Sequence, residues 1–497
     1  MAKVIKEFDM GDVKIEDSLK RWTLNFTDII NNSNKVYSLE IVKTNKGVFL
    51  YTKYGRVGGT LTSEYRQCSD QNDAEIEAAK IVKAKTKKGY VEVLLTKADI
   101  GSDAAKAKIE NNSATVEQLK KAGISVKEEE SVKSKLHIEV QNLVRTWFGI
   151  TQEFVDLNLD TTKCSLGQLS LSQISKGKDF LDEARKIVHL TKPDEQELNK
   201  LTNLYYSNIP HNFGYTKIDA NNLRLDSDAK IDKAFDFLDI INQAKDVEAV
   251  ISKKNAVDAQ YSTLNAELEF VDPTDPTWKW IDAMMLETRA SNHSGLGKIK
   301  THRVFRVKRN NEEKNFLKNA ENIAKECGKW TPSSVYANLV KRRPDVSKDL
   351  QSLYEKANIL PGWHGTRRAN MVGITTKGLL IRPSGVAHSG SMYGDGVYWA
   401  TNSTKSINYT DCRGSYWAQG TNKTAYLFLA DVSFGNQKVV GSSHFYSRKS
   451  IEPNHSVWAK AGGNTGLYND ELITYTPSGP EQQHYIKYII EFETMVK

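Results

Sequence analysis

At 497 residues the chain exceeds what one ordinary core organises, and about 150 residues per domain points to about three. Its 39% hydrophobic content suits packed interiors, yet no apolar run approaches the roughly 20 residues of a bilayer span, and residues 1–21 lack the apolar centre of a secretory signal. The net charge of +8 favours an anionic partner such as nucleic acid without requiring one, and four cysteines with no CxxC pair write neither a disulfide framework nor a zinc module.

VYSLEIVK (Val36–Lys43) and GVFLYTKYGRVGG (Gly47–Gly59) are rich in β-branched and aromatic residues, and the turn-forming Asn45-Lys46-Gly47 joins them, which predicts a hairpin. A helix over about 72–88 and a returning strand in VEVLLT complete a small α+β module at 1–96. Residues 97–134, rich in Lys, Glu, Ala and Ser and without an aromatic, bury too little apolar area to offset ordering and read as a solvated linker. From Leu136 the apolar period becomes helical. Stripes at Leu136, Val140, Leu143, Val144 and Trp147, at Phe180, Leu181, Ala184, Ile187 and Val188, at Leu198, Leu201, Leu204 and Tyr205, and at Ile231, Ala234, Phe235, Leu238 and Ile241 must bury against one another. They predict an all-helical bundle over 135–262, with Pro193 and the acidic Asp194, Glu195 and Glu197 opening one helix. Beyond 263, short strands such as RVFRV (Arg303–Val307), TAYLFLADV (Thr424–Val432), LITYT (Leu472–Thr476) and YIKYIIEFE (Tyr485–Glu493) predict a mixed, mainly antiparallel β domain.

Chemistry concentrates in three strings of that last region: LPGWHGT (Leu360–Thr366), GSMYGDGVYWATNSTKSINY (Gly390–Tyr409) and LYNDELITY (Leu467–Tyr475). They put a histidine, two tyrosines and a carboxylate in separate turn or strand segments, the form of a site assembled across one sheet. In that order these strings resemble the catalytic signature of the poly(ADP-ribose) polymerases. The resemblance implies a His-Tyr-Glu triad at His364, Tyr398 and Glu471, with NAD+ as substrate and no metal. It implies that His364 bonds the adenosine ribose, that Gly365 and Ser406 hold the nicotinamide amide, that Thr366 is a further NAD+ contact, that Tyr398 and Tyr409 stack on the nicotinamide, and that Glu471 bonds its ribose and stabilises the positive charge developing on the sugar. Met392 falls at the family's acceptor-side methionine. The chain also departs from the pattern: Leu380 stands where the family has an arginine, with Arg382 two residues on as a replacement NAD contact, and Asp395 replaces a lysine.

KYGRVGG resembles the Trp-Gly-Arg signature of the WGR module in DNA-dependent members, with Tyr54 for the tryptophan and Gly55 and Arg56 kept. An arginine on a glycine turn beside an aromatic face suits a phosphate and a terminal base, so Lys53, Tyr54, Gly55 and Arg56 are candidate DNA contacts. Lys83, Lys85, Lys87 and Lys88 are either further phosphate contacts or a solvated helix face. KCSLGQLSLSQISKG (Lys163–Gly177) and YSNIPHNFG (Tyr206–Gly214) resemble the regulatory helical domain, which implies autoinhibition relieved by DNA. The whole is thus an α+β multidomain chain: a WGR-like module, a linker, a helical regulatory domain and an ADP-ribosyltransferase domain at 263–497, with no zinc fingers and with the insert 319–360 unassigned. The implied partners are DNA breaks with a 5′-phosphate and protein acceptors including the chain itself, with no membrane. Residence is nuclear in a eukaryote and otherwise cytoplasmic. Two rivals stand beside a polymer-forming enzyme: a mono-ADP-ribosyltransferase of the same fold, and an inert DNA-end-binding scaffold.

Overall fold

The computed structural model describes residues 4–6, 13–57, 59–93, 134–158, 169–211, 213, 219–251, 256–327, 340–381, 392–418 and 420–495, and the chain forms two units. In the first unit, alternating apolar and polar residues build six antiparallel strands: β1 (Val4–Lys6), β2 (Ile15–Asp28), β3 (Ser33–Thr44), β4 (Gly47–Arg56), β5 (Thr62–Cys68) and β6 (Val91–Glu92), in the order β1-β5-β4-β3-β2-β6. The expected hairpin is β3–β4. Thr44 pairs with Gly47 across Asn45-Lys46, and Gly47 takes a φ of 111°, a conformation glycine adopts without strain. Helix α1 (Gln71–Thr86), capped by Asp70, lays Ala74 and Ala78 on Leu24, Leu39, Ile41 and Leu50. Most of the expected linker and the end of VEVLLT lie outside the described residues.

Helix α2 (Ile138–Asn158) is followed by α3 (Leu171–Val188), α4 (Glu195–Asn208), α5 (Ala220–Leu223), α6 (Asp228–Ile251) and α7 (Ala256–Thr263). Pro193 sits just ahead of the cap rather than in the first turn: Asp194 accepts from the Gln196 and Glu197 amides. Gly177 lets α3 approach closely, since a Cβ there would lie 3.0 Å from Ile209 and 3.1 Å from Leu238. On the same helix Arg185 is fully buried, paired with Asp232 at 2.6 Å and facing the Phe235 ring, while Phe180 and Val188 of the expected stripe are only half-buried. The sheet is joined to α4 by polar bonds: Asn25 Nδ2 donates to the Tyr206 and Ser207 carbonyls, and the Ile29 amide donates to Asn203 Oδ1.

The second unit comprises residues 134–151 and 257–497. A five-stranded antiparallel sheet runs β7 (Ala266–Val271), β8 (Lys298–Arg309), β15 (His484–Met495), β11 (Thr424–Ser433) and β9 (Ile359–Gly365). A four-stranded sheet runs β10 (Val397–Trp399), β14 (Glu471–Thr474), β13 (Ser456–Asn464) and β12 (Gln437–Ser442), antiparallel except for the parallel pair β12–β13. Helices α8 (Pro276–Glu287), α9 (Glu312–Glu326), α10 (Lys348–Lys356), α11 (Met371–Lys377) and α12 (Ser403–Ile407) surround them. The start of α2 belongs to this unit: Glu139 pairs with Arg303 at 2.8 Å and Trp147 meets the Tyr426 ring edge-on.

Part of the unassigned insert anchors behind the sheet through buried charge. Arg343 lies 2.9 Å from Asp345 and 2.6 Å from Asp431, and Lys487 lies 2.6 Å from Asp345. Burial alone would raise both carboxyl pKa values, but Arg343 and then Lys487 outweigh it and hold them below the usual range. Folded values below the unfolded value of about 3.9 mean that this stabilisation is complete above that pH and is lost as acid approaches the folded values. Arg343→Ala, which leaves two buried carboxylates to share the single cation Lys487, should cost about 3–5 kcal/mol in urea unfolding. Arg342→Ala, which removes an exposed partner of Glu287, should cost less than about 1 kcal/mol. Equal effects would contradict this account.

Candidate active site

Strand β9 is an edge strand paired on one side with β11, and Leu427 stands opposite Gly365. On its other side Trp363 exchanges backbone bonds with Ala400, at 2.9 and 3.0 Å. Backbone groups two residues apart in a strand point the same way, so the Gly365 N–H and C=O face that same edge, beyond the single bridge. Helix α12 packs so tightly there that a Cβ on Gly365 would lie 1.8 Å from the Ser406 carbonyl oxygen. Only glycine fits. The buried Ser406 hydroxyl donates to the Trp363 carbonyl at 3.0 Å and keeps lone pairs for a further donor.

His364 Nδ1 lies 3.1 Å from the Tyr398 carbonyl, so Nδ1 carries the hydrogen and Nε2 remains an acceptor. Burial lowers the imidazole pKa and the Tyr398 carbonyl only partly opposes it, so the ring is neutral at physiological pH. Tyr398 is fixed through its own hydroxyl, which accepts from the Tyr393 amide at 3.0 Å and donates to the Gly394 carbonyl at 2.9 Å. It stands opposite Ile473, and directly opposed side chains share a face. Glu471, two residues earlier on β14, therefore lies on the same face as Tyr398. Burial first, and the charge of Glu471 among other groups after it, push the Tyr398 phenol up; for Tyr409 the causes are burial and then Glu471.

Glu471 opens β14, is buried, and lies 3.0 Å from Lys405 Nζ. Lys405 also donates to the Asn469 carbonyl at 2.7 Å and the Asp470 carbonyl at 3.2 Å. Asp470 in turn accepts from Trp458 Nε1 and the Ala461 amide, each at 2.7 Å. Burial pulls the Lys405 pKa down and Glu471 pulls against it. Sequence reasoning passed over this lysine, although it stands inside the STKSINY string, one residue before Ser406.

His364, Gly365, Tyr398, Ser406, Tyr409 and Glu471 thus come together around one edge. Thr366 is nearby, but its hydroxyl accepts from Asn370 Nδ2 at 3.0 Å and holds the turn after β9. Arg382 lies outside the described residues. Leu380 and Met392 are exposed. Among the described residues no group of three or more His, Cys, Asp or Glu side chains could hold a metal, and no helix is long and apolar enough to cross a membrane.

The candidate DNA residues sit consecutively on β4. Tyr54 stacks on Tyr37 with ring centroids 5.0 Å apart and donates to Glu64 at 3.1 Å. Gly55 takes a φ of 159°, where a Cβ would lie 2.9 Å from Leu61. Arg56 bonds the Asn32 carbonyl at 2.8 Å and its side-chain oxygen at 3.0 Å. Strand alternation puts Tyr54 and Arg56 on one face and the exposed Lys53 on the other. Within the lysine cluster Lys85 is half-buried, with its ammonium 4.0 Å from the Tyr37 ring centre and 5.4 Å from that of Tyr90.

Residues 20–97 match the WGR domain, 134–267 the poly(ADP-ribose) polymerase regulatory domain and 277–465 the poly(ADP-ribose) polymerase catalytic domain. Poly [ADP-ribose] polymerase 1 of Gallus gallus is 25% identical over 484 residues, covering 92% of this chain and 41% of that protein. Protein mono-ADP-ribosyltransferase PARP3 of Mus musculus is 26% identical, covering 84% of this chain and 72% of that protein. Poly [ADP-ribose] polymerase 2 of Arabidopsis thaliana is 24% identical, covering 83% and 60%. The chain spans about two-fifths of the length of the first polymerases it matches. With all three domains present in this order, the chain belongs to the poly(ADP-ribose) polymerase family.

Proposed function

We propose that the chain is an NAD+ ADP-ribosyltransferase that releases nicotinamide and transfers ADP-ribose to protein acceptors, itself included. The observation that carries this is the meeting of a neutral His364, a fixed Tyr398 and a lysine-paired Glu471 around the open backbone edge at Gly365. NAD+ fits these residues as substrate. A carboxamide presents one acceptor and two donors, and the Gly365 N–H and C=O supply the matching pair, with Ser406 Oγ beside them. The part-exposed Tyr409 ring offers a face for the pyridinium, and His364 Nε2 accepts from a ribose hydroxyl.

In this reading the bond from ribose C1′ to the nicotinamide nitrogen breaks and its electron pair leaves with nicotinamide. The sugar passes through a positively charged state beside the Glu471 carboxylate. The acceptor oxygen then bonds C1′, and its proton passes to Glu471 or solvent. Lys405 is a positioning residue: its ion pair holds the Glu471 carboxylate in place.

DNA-break activation, a 5′-phosphate preference and nuclear residence are parts of the same proposal. The WGR match supports them, together with the bonds from Asn25 and Ile29 to α4, which give the β-module a direct purchase on a regulatory helix. Elongation to poly(ADP-ribose) follows the retained Glu471. Mono-ADP-ribosylation is the second reading, favoured by one observation: two relatives named as mono-ADP-ribosyltransferases match at 26% identity, beside polymerases at 24% and 25%.

Three outcomes are expected. NAD+ consumption should rise at least about tenfold on adding nicked DNA with a 5′-phosphate; equal rates with and without DNA refute the regulatory part, and no turnover under either condition supports the inert-scaffold rival. Glu471→Gln should lower kcat about 100-fold or more with the melting temperature little changed, the scale expected for losing charge stabilisation in a transition state. Gly365→Ala should raise KM for NAD+ about tenfold or more and lower stability by about 1–3 kcal/mol, since neither backbone can yield. A Gly365→Ala protein with ordinary NAD+ affinity would remove the amide clamp from the mechanism.

A further inference from the structure

Tyr393 carries a hydroxyl that the mechanism above does not use. The side chain is fully buried in a cluster with Val457, Ala459 and Ile473, yet its hydroxyl oxygen has no hydrogen-bond partner. Its main chain, by contrast, is bonded at both ends: the amide donates to the Tyr398 hydroxyl at 3.0 Å, and the carbonyl accepts from the Tyr475 hydroxyl at 2.5 Å and the Tyr446 amide at 3.3 Å. Gly394 follows at a φ of 94°, where a Cβ would lie 1.8 Å from the Tyr446 carbonyl oxygen, so the turn admits only glycine and stays in one place. Loose packing therefore does not explain the unpaired hydroxyl. A buried O–H without an acceptor lowers stability, phenylalanine in the same place would avoid that cost, and a function in the loaded protein accounts for its presence.

Strand register identifies the acceptor. On β14, Glu471 and Ile473 are two residues apart and share a face; on β13, Ala459 stands opposite Glu471 and Val457 opposite Ile473. The cluster that holds the Tyr393 ring thus lies on the face that carries the Glu471 carboxylate. Burial first, then the charge of Glu471 and then Tyr446, push the Tyr393 phenol up to about 12, so at physiological pH it keeps its proton and is a donor. Lys405 meets Glu471 at Oε1, and a carboxylate has about four lone-pair sites, so acceptor capacity remains beside that pair.

We propose that Tyr393 is a second positioning residue for the transfer: with NAD+ bound, its phenol donates to the Glu471 carboxylate, so that Lys405 and Tyr393 hold this group at two points while its remaining lone pairs face the reacting sugar. The proposal rests on the transferase reading. The carboxylate is the partner that moves, because the phenol is set by bonded main chain on both sides, whereas the Lys405 ammonium sits on a flexible stem and can follow Glu471. A hydrogen bond to an ionised acceptor is stronger than one between neutral groups, so the unpaired hydroxyl of the free protein becomes a strong contact in the loaded one.

The test is NAD+ consumption by the full chain with nicked DNA present, together with thermal unfolding of the free protein. Tyr393→Phe removes only the hydroxyl oxygen. It should leave the melting temperature unchanged or higher and lower kcat/KM about tenfold, the size of a lost hydrogen bond to a charged group. In the Glu471→Gln protein, where the acceptor is neutral, the same substitution should lower kcat/KM less than about threefold, because two residues that act through one contact are not additive. Equal kcat/KM in the unmodified and Tyr393→Phe chains overturns the proposal and leaves an idle hydroxyl. A loss of about tenfold in both backgrounds, or a lower melting temperature, overturns it in favour of packing. No turnover by the unmodified chain removes the transferase reading and the proposal with it, whereas turnover that Tyr393→Phe leaves untouched removes the proposal alone.

Discussion

The candidate site depends on the way β9 ends. One flank of this strand is committed to β11 and the other makes a single two-bond bridge through Trp363 and Ala400, after which the backbone of Gly365 has no strand beside it. Everything placed around that edge is fixed to it or to the bridge. Ser406 bonds the Trp363 carbonyl, His364 bonds the carbonyl one residue before Trp399, and β10 carries Tyr398 onto the face it shares with Glu471. Two sheets that met along a full ladder would leave no polar backbone for a ligand; the single bridge leaves a donor and an acceptor at the position without a side chain.

A second layer controls charge. Glu471 is buried and paired with Lys405. The Lys405 ammonium is also held by two carbonyls of the loop that leads into β14. The loop is held in turn by Asp470. The ion pair, the loop and the strand start therefore form one mechanical element, so a change in β13 that moved Trp458 would be felt at Glu471.

What could be read from the sequence was local. The β3–β4 hairpin declared itself through its turn and alternation, the helical stripes through their period, and the catalytic strings through residues a few positions apart. What escaped reading was made by distance in the chain. The first half of β2 is charged and bulged, so Glu16, Asp17, Lys20 and Arg21 hid a 14-residue strand. Arg343 lies in the insert left unassigned, and its partner Asp431 comes from β11, far along the chain. Lys405 gains its meaning only when α12 meets the loop before β14. The packing of Lys85 on tyrosines was not legible either, because these rings come from β3, β4 and the segment after α1.

The contact between Gly365 and α12 also limits how such a chain can vary. The Ser406 carbonyl fills the volume a β-carbon would need, and this oxygen belongs to main chain, so no exchange of the serine for a smaller residue frees the space. Relief would require α12 to shift bodily, and α12 is tied to α8 by Ser403 and Thr288. The segments around residues 365, 406 and 288 are thereby bound into one inheritance unit, in which a lineage can alter the whole set together or none of it.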